Sequence, residues 1–333
     1  MAHPDPHLTP TDTDLTRSLI DYAVDLHKKA GASDILLYAD VFGDPEDLRE
    51  LIRSFKGINF VLSTRSEQAA SVAREAVREI VAVPDIRLTR MGQIKVAVLV
   101  GLSTGVFERG NRLVCLSGMA ESGTLDTIVV MEVGKEFEMF APAGEGEIRD
   151  SVNTEVFNQV LKLAVELGNE GREGKPVGTV FVIGSPDVLA PYTRQMVLNP
   201  FRGYAADERR IFDRSVQETI KEFSLIDGAF IVSSGGLIET AGTYLNPPSS
   251  ASDLPRGLGA RHHAAAGLTA CTPSTAVTVS ESTGTVTVFQ NGRIFTEIEA
   301  PRRIGTTTRK SEAFFADTLA EQAPAGPEDL PTS

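Results

Sequence analysis

Asp227-Gly228-Ala229-Phe230-Ile231-Val232 passes from a turn into a short apolar run, and the segments around it set the architecture. Upstream, Val216, Ile220 and Phe223 recur at the spacing of one helical face. Downstream, Gly235-Gly236 reads as a hairpin turn into Leu237-Ile238-Glu239. A helix feeding a strand that folds back on itself implies a mixed sheet with helical cover. Working outward, Val156, Val160, Leu163 and Leu167 share another helical face, and the glycine-broken stretch Gly168 to Gly178 delivers the strand Thr179-Val180-Phe181-Val182-Ile183. Towards the C-terminus, Ala276 to Ser280 and Thr285 to Gln290 pair around Glu281-Ser282-Thr283-Gly284, and Asn291-Gly292 turns the chain again. Residues 155–300 therefore read as a mixed-sheet α/β domain.

The first part of the chain alternates more regularly. Leu15, Leu19, Leu26 and Ala30 mark a helix closed by Gly31, followed by the buried strand Ile35-Leu36-Leu37-Tyr38. A helix from Asp44 to Phe55 leads to the strand Asn59 to Ser63, and a third helix carries Ala69, Ala73, Ala76 and Ile80 on one face. Ile86-Arg87-Leu88 is a short strand candidate, Gln93 to Phe107 reads as a helix, and Leu113-Val114-Cys115-Leu116 and Thr127 to Met131 read as strands. Alternation of this kind gives a mostly parallel, three-layer α/β domain over 14–134. Residues 135–154 have the composition of a linker, and 1–13 and 301–333 that of flexible tails. The expected fold is thus α/β in two domains.

Composition narrows the function. The chain has 333 residues, 41% hydrophobic and 23% charged, as in ordinary soluble proteins. A net charge of −13 argues against a general nucleic-acid scaffold, although Arg202, Arg209, Arg210 and Arg214 form a local basic cluster. Two cysteines, Cys115 and Cys271, are too few for a disulfide framework and lack zinc-ligand spacing. No apolar stretch approaches the ~20 residues that span a bilayer, and no signal peptide opens the chain, so a cytoplasmic location is expected.

Three short constellations carry the chemistry. Asp227 at a turn, beside a glycine that lets a ligand approach the backbone, suits a metal ion or a hydroxyl to be deprotonated; alone, the tripeptide also reads as a plain β-turn. Gly259-Ala260-Arg261-His262-His263 opens a small-residue helix, where bare amides, a guanidinium and imidazoles suit polyphosphate; the plainer alternative is a solvated first turn. Ser280-Glu281 closes a strand, offering a hydroxyl to phosphate and a carboxylate to a metal, or merely a soluble hairpin corner. Asn246 to Arg256 is a long Pro- and Ser-rich connector. Phosphate-loop and Rossmann fingerprints are lacking.

As an ordered set, Asp227-Gly228-Ala229, Gly259 with Arg261-His262 and Ala264-Ala265, Ser280-Glu281, Gly284 and Phe289-Gln290-Asn291-Gly292 resemble the diadenylate cyclase domain. The family's second motif commonly reads Arg-His-Arg, and His263 stands third here. Residues 14–133, notably Gly110-Asn111-Arg112-Leu113-Val114-Cys115, are similar to the C-terminal domain of pyruvate kinase, and the pairing resembles the archaeal type of diadenylate cyclase. The resemblance implies condensation of two ATP into cyclic di-AMP and two pyrophosphates between opposed domains of a homo-oligomer. It implies catalytic roles for Asp227, Arg261 and His262. It also implies nucleotide contacts from Gly228, Ala229, Leu245, Gly259, Arg261, His262, His263 and Ser280, and Mg2+ or Mn2+ on Asp227 and Glu281. No DNA or membrane partner is expected. The alternatives are a non-catalytic adenine-nucleotide sensor and a regulatory assembly protein acting through the first domain.

Overall fold

The computed structural model describes residues 10–55, 57–85, 88–120, 122–134, 153–248, 254–255 and 257–299. Residues 1–9 of the expected first tail, 135–152 of the expected linker and all of the expected last tail, together with most of the connector before Arg261, lie outside the described residues, whereas residues 10–13 and Thr154 belong to helices rather than to a tail and a linker.

The first lobe opens with α1 (Pro10–Ala30) and β1 (Asp34–Tyr38). α2 (Pro45–Ser54) starts at Asp44, whose carboxylate accepts the Glu46 amide at 2.9 Å, and Pro45 supplies a pre-set first helical residue. β2 (Phe60–Thr64), α3 (Glu67–Ala73), β3 (Glu79–Ala82), α4 (Arg90–Ser103), β4 (Arg112–Gly118) and β5 (Leu125–Glu132) follow. The sheet order is β3-β2-β1-β4-β5, with parallel pairing from β3 through β4 and an antiparallel β4/β5 edge.

Some expectations for this lobe change. The third helix ends at Ala73; Ile80 belongs to β3, where it pairs with Leu62. Its period matched a helix, yet the strand recruits the same residue because β2 offers an open parallel edge. A strand at residues 86–88 falls on Ile86 and Arg87, outside the described residues, and Leu88 is not in a strand. Leu15 shares the spacing of the α1 apolar face but is 49% exposed, and Ile20 and Ala23 fill the core instead.

The second lobe begins with α5 (Thr154–Glu170), capped by Asn153, whose side chain accepts the Glu155 amide at 2.8 Å. β6 (Thr179–Ile183), α6 (Pro186–Leu189), β7 (Thr193–Gln195), α7 (Arg214–Phe223), β8 (Ala229–Val232) and β9 (Ile238–Leu245) precede α8 (Ala260–Cys271). β10 (Thr275–Val279), β11 (Val286–Gln290) and β12 (Arg293–Ile298) complete a sheet ordered β12-β11-β10-β6-β8-β9-β7. Only β6 and β8 run parallel among these pairs, so the sheet is mixed. Both expected hairpins form, and Asn291 and Gly292 adopt φ of 52° and 79° between β11 and β12, the backbone of a two-residue turn.

Burial on both faces explains why the central strands are continuous apolar runs. Phe181 and Phe230 are register partners on β6 and β8, stacked at 5.1 Å, and with Val160, Leu163 and Val277 they pack the α5 side. Val180, Val182, Ala276 and Phe289 point to the opposite face, where Ala265, Ala266 and Leu268 of α8 cover them. The two sheets exchange no strand pairing, yet buried residues of both belong to one connected cluster. α4 packs against β12, and the Thr154 hydroxyl donates to the Ser103 carbonyl at 2.9 Å. Among the described residues, no helix is long and apolar enough to cross a membrane.

Candidate active site

Register brings the sequence motifs together at one edge of the second sheet. β6 and β8 run in step (Val180 opposite Ala229), while β10 runs against β6 with Val279 opposite Thr179. Gly178 and Ser280 lie just outside the Thr179/Val279 pair and Asp227 two residues before Ala229, so three chain segments distant in sequence end side by side. The α8 N-terminus, with Gly259 as its flanking residue, lies over this edge and aims Arg261 into it.

Arg261 is the hub. One guanidinium nitrogen donates to the Asp227 carboxylate at 2.5 Å, and the other reaches Glu281 at 3.4 Å. Both acid side chains are largely exposed, 72% and 63%. Ion pairs in such positions stabilise by only about 0.2–1 kcal/mol each. They can therefore exchange for stronger partners at small cost. Gly178 makes the arrangement possible, because a Cβ on it would lie 2.7 Å from the Arg261 guanidinium and 2.8 Å from the Glu281 Cβ.

Two cavities adjoin at Asp227, Ala260 and Arg261. The larger, about 960 Å3, is bounded by the α8 N-terminus, by Ser280, Glu281 and Ser282 of the β10–β11 turn, and by Thr287 and Glu297. The smaller, about 210 Å3, is more apolar, with Val180, Ala229, Leu245 and Ala264 facing Met196 and Tyr244. One side has the polar lining that suits a polyphosphate, the other the apolar lining that suits a base, and Asp227 stands at their junction. Among the described residues, four carboxylates (Asp227, Glu281, Glu297 and Glu299) line the larger cavity against the single guanidinium of Arg261. A triphosphate there needs additional positive charge.

The structure thus gathers Asp227, Gly228, Ala229, Leu245, Gly259, Arg261, His262, Ser280 and Glu281 around the two cavities. It does not bring His263 into the lining of either. His262 is only 8% exposed and packs edge-on to Phe289 at 6.0 Å. Burial, with the neighbouring His263 and Arg261 charges, holds its pKa below the usual imidazole value. A neutral imidazole on the cavity wall can donate or accept a hydrogen bond but adds no charge to a phosphate site. The Arg202–Arg214 cluster lies apart from both linings, and Arg209 is occupied by Glu239 and the Ile238 carbonyl.

Sequence reasoning missed Gly178, Met196, Tyr244 and Glu297. Only Gly178, the residue ahead of an apolar strand, had any local signal. Met196 and Tyr244 reach the cavity because β7 and β9 pair at the sheet edge, with Arg194 opposite Tyr244.

Among the described residues no group of three or more His, Cys, Asp or Glu side chains is placed to hold a metal. Asp227 and Glu281 nevertheless converge on one positive charge, the Arg261 guanidinium, as a pair of hard oxygen donors would on a cation. These two carboxylates could hold a divalent ion.

Comparison with known proteins bears on the same regions. Residues 166–294 match the family model described as "DisA bacterial checkpoint controller nucleotide-binding". Residues 15–140 match "Probable sensor domain DacZ_P", where the sequence suggested a pyruvate kinase C-terminal likeness. The chain is 38% identical over 207 residues to a diadenylate cyclase of Methanocaldococcus jannaschii, spanning 62% of this chain and 66% of that protein. It is 34% identical over 214 residues to a diadenylate cyclase of Haloferax volcanii, spanning 62% of this chain and 75% of that one. Among solved structures, DacA from Staphylococcus aureus matches at 23% identity and a TM-score of 0.32, over 50% of this chain and 94% of that one.

Proposed function

Since the chain belongs to the diadenylate cyclase family, we propose that it condenses two ATP molecules into cyclic di-AMP, with release of two pyrophosphates. The observation that carries this reading is the placement of Asp227 and Arg261 at the junction of an apolar and a polar cavity.

The adenosine enters the smaller cavity against Ala229, Leu245 and Ala264, with Tyr244 at its rim. The triphosphate lies in the larger one, over the α8 amides and beside Arg261 and Ser280. In each half-reaction a 3′-oxygen forms a bond to the α-phosphorus of the opposing ATP, the α–β bridging P–O bond breaks, and pyrophosphate departs. Asp227 orients the 3′-hydroxyl and takes up its proton. Arg261 counters charge on the phosphates, and His262 contributes a neutral hydrogen bond. Asp227 and Glu281 would hold Mg2+ or Mn2+, which when bound neutralises the triphosphate and pyrophosphate. Most of the rate gain comes from positioning and charge, as for phosphoryl transfer generally.

Each site holds one ATP, so two copies must face each other through this edge. We place the protein in the cytoplasm, and assign residues 15–140 a sensing or regulatory role on the strength of the family description.

Dilution tests the reading. Specific activity should fall with protomer concentration while ATP occupancy per protomer stays constant. Turnover per protomer that is independent of concentration, in a sample shown to be monomeric, would exclude reaction between opposed copies.

A further inference from the structure

Arg261 bridges Asp227 and Glu281, the two carboxylates proposed above to hold the cation. One guanidinium spans Asp227 at 2.5 Å and Glu281 at 3.4 Å, and Gly178 leaves the space in which it lies, since a Cβ there would stand 2.7 Å from the guanidinium nitrogen. Among the described residues no other Lys or Arg lines this cavity. The same group therefore has two prospective partners that cannot be served together: the carboxylate pair, and the phosphates that enter beside it.

We infer that Arg261 is the resident counter-ion of the Asp227–Glu281 pair, and that Gly178 is the positioning residue that seats it there. The inference rests on the reading of this edge as the ATP site. In the nucleotide-free protein the guanidinium occupies the cation position. Arriving phosphates draw it away through stronger, bidentate contacts, and the two carboxylates are then free for the divalent ion. Metal and nucleotide consequently bind with positive coupling, each raising the affinity for the other by the same factor. The arrangement keeps Asp227 from capturing a free divalent ion before substrate arrives. The exchange is feasible because both pairs are exposed, and each contributes little by itself.

Mn2+ binding to the full chain without nucleotide, followed by electron paramagnetic resonance of the free ion, tests this without reference to turnover. Arg261→Gln should tighten Mn2+ binding about tenfold, the scale of two lost exposed pairs. That gain alone could reflect removal of a nearby positive charge. Gly178→Ala provides the second arm, because it keeps the arginine while its Cβ crowds the guanidinium at 2.7 Å; since that Cβ also lies 2.8 Å from the Glu281 Cβ, the same substitution made on Arg261→Gln reads out the effect on Glu281 alone. Gly178→Ala by itself should also tighten Mn2+ binding, by several-fold, and adding Asp227→Asn to either variant should abolish the gain. Equal Mn2+ affinity in wild type and Gly178→Ala would overturn the inference, as would tight binding to wild type without nucleotide. A Gly178→Ala protein that fails to fold leaves the Arg261→Gln arm, where unchanged or weaker Mn2+ binding is equally decisive. If the wild type makes no cyclic di-AMP, the functional reading fails whatever the metal titration gives, so the two failures are distinct.

Discussion

Gly228 lies so close to Gly242 that a Cβ on the former would stand 2.6 Å from the carbonyl carbon of the latter. Gly228 also has φ of +115°, outside the range that side chains readily adopt. This contact sets β8 against β9 immediately after Asp227 and so fixes the direction in which the carboxylate leaves the sheet. Gly228→Ala should destabilise the protein by about 2 kcal/mol and lower activity more than Ala229→Gly does. Urea midpoints and product assays on the two variants check this.

Asp227→Asn should abolish cyclic di-AMP formation with little change in stability, because the side chain is 72% exposed and its ion pair with Arg261 contributes little. Thermal unfolding followed by circular dichroism should match wild type within about 2 °C. Wild-type-like turnover in the variant would remove Asp227 from the mechanism.

Arg261→Ala should weaken ATP binding by about 10–100-fold, the range of lost charge-assisted hydrogen bonds. Isothermal titration with 3′-deoxy-ATP, which cannot act as nucleophile, measures the affinity without turnover. An unchanged Kd would contradict a phosphate-holding role.

His262 gives a pH signature. Its pKa is depressed in the folded protein, chiefly by burial, so below about 6.5 the unfolded chain takes up a proton that the native state resists. This contribution is absent above that pH, and it subtracts from stability as the pH falls towards the depressed folded value. The urea midpoint of wild type should therefore drop more between pH 7.5 and pH 5.5 than that of His262→Gln. Equal drops would mean that His262 titrates freely in the native protein.

Local chemistry made much of this protein legible. Asn291-Gly292 and the 281–284 corner announced their hairpins because turn backbone conformations restrict residue choice, and the 227, 261 and 280 motifs could be named from order alone. Other features needed partners far along the chain. Ile80 has a helical period and a strand fate, decided by the open edge of β2. The Arg261 bridge depends on a missing side chain at Gly178, a steric fact that appears only when β6, β8 and β10 lie in register. His262 lines the larger cavity as the sequence suggests, but only the fold shows its buried ring edge-on to Phe289. The apolar cluster shared by the two sheets needed the fold as well, which shows that β12 forms part of the cover of α4.

Chromatography of the products formed from ATP and Mn2+ by the purified chain bears most directly on the central claim. One cyclic di-AMP and two pyrophosphates for every two ATP consumed is the expected result. Unreacted ATP under conditions where the folded protein demonstrably binds it, or conversion to ADP or AMP alone, would contradict the assignment.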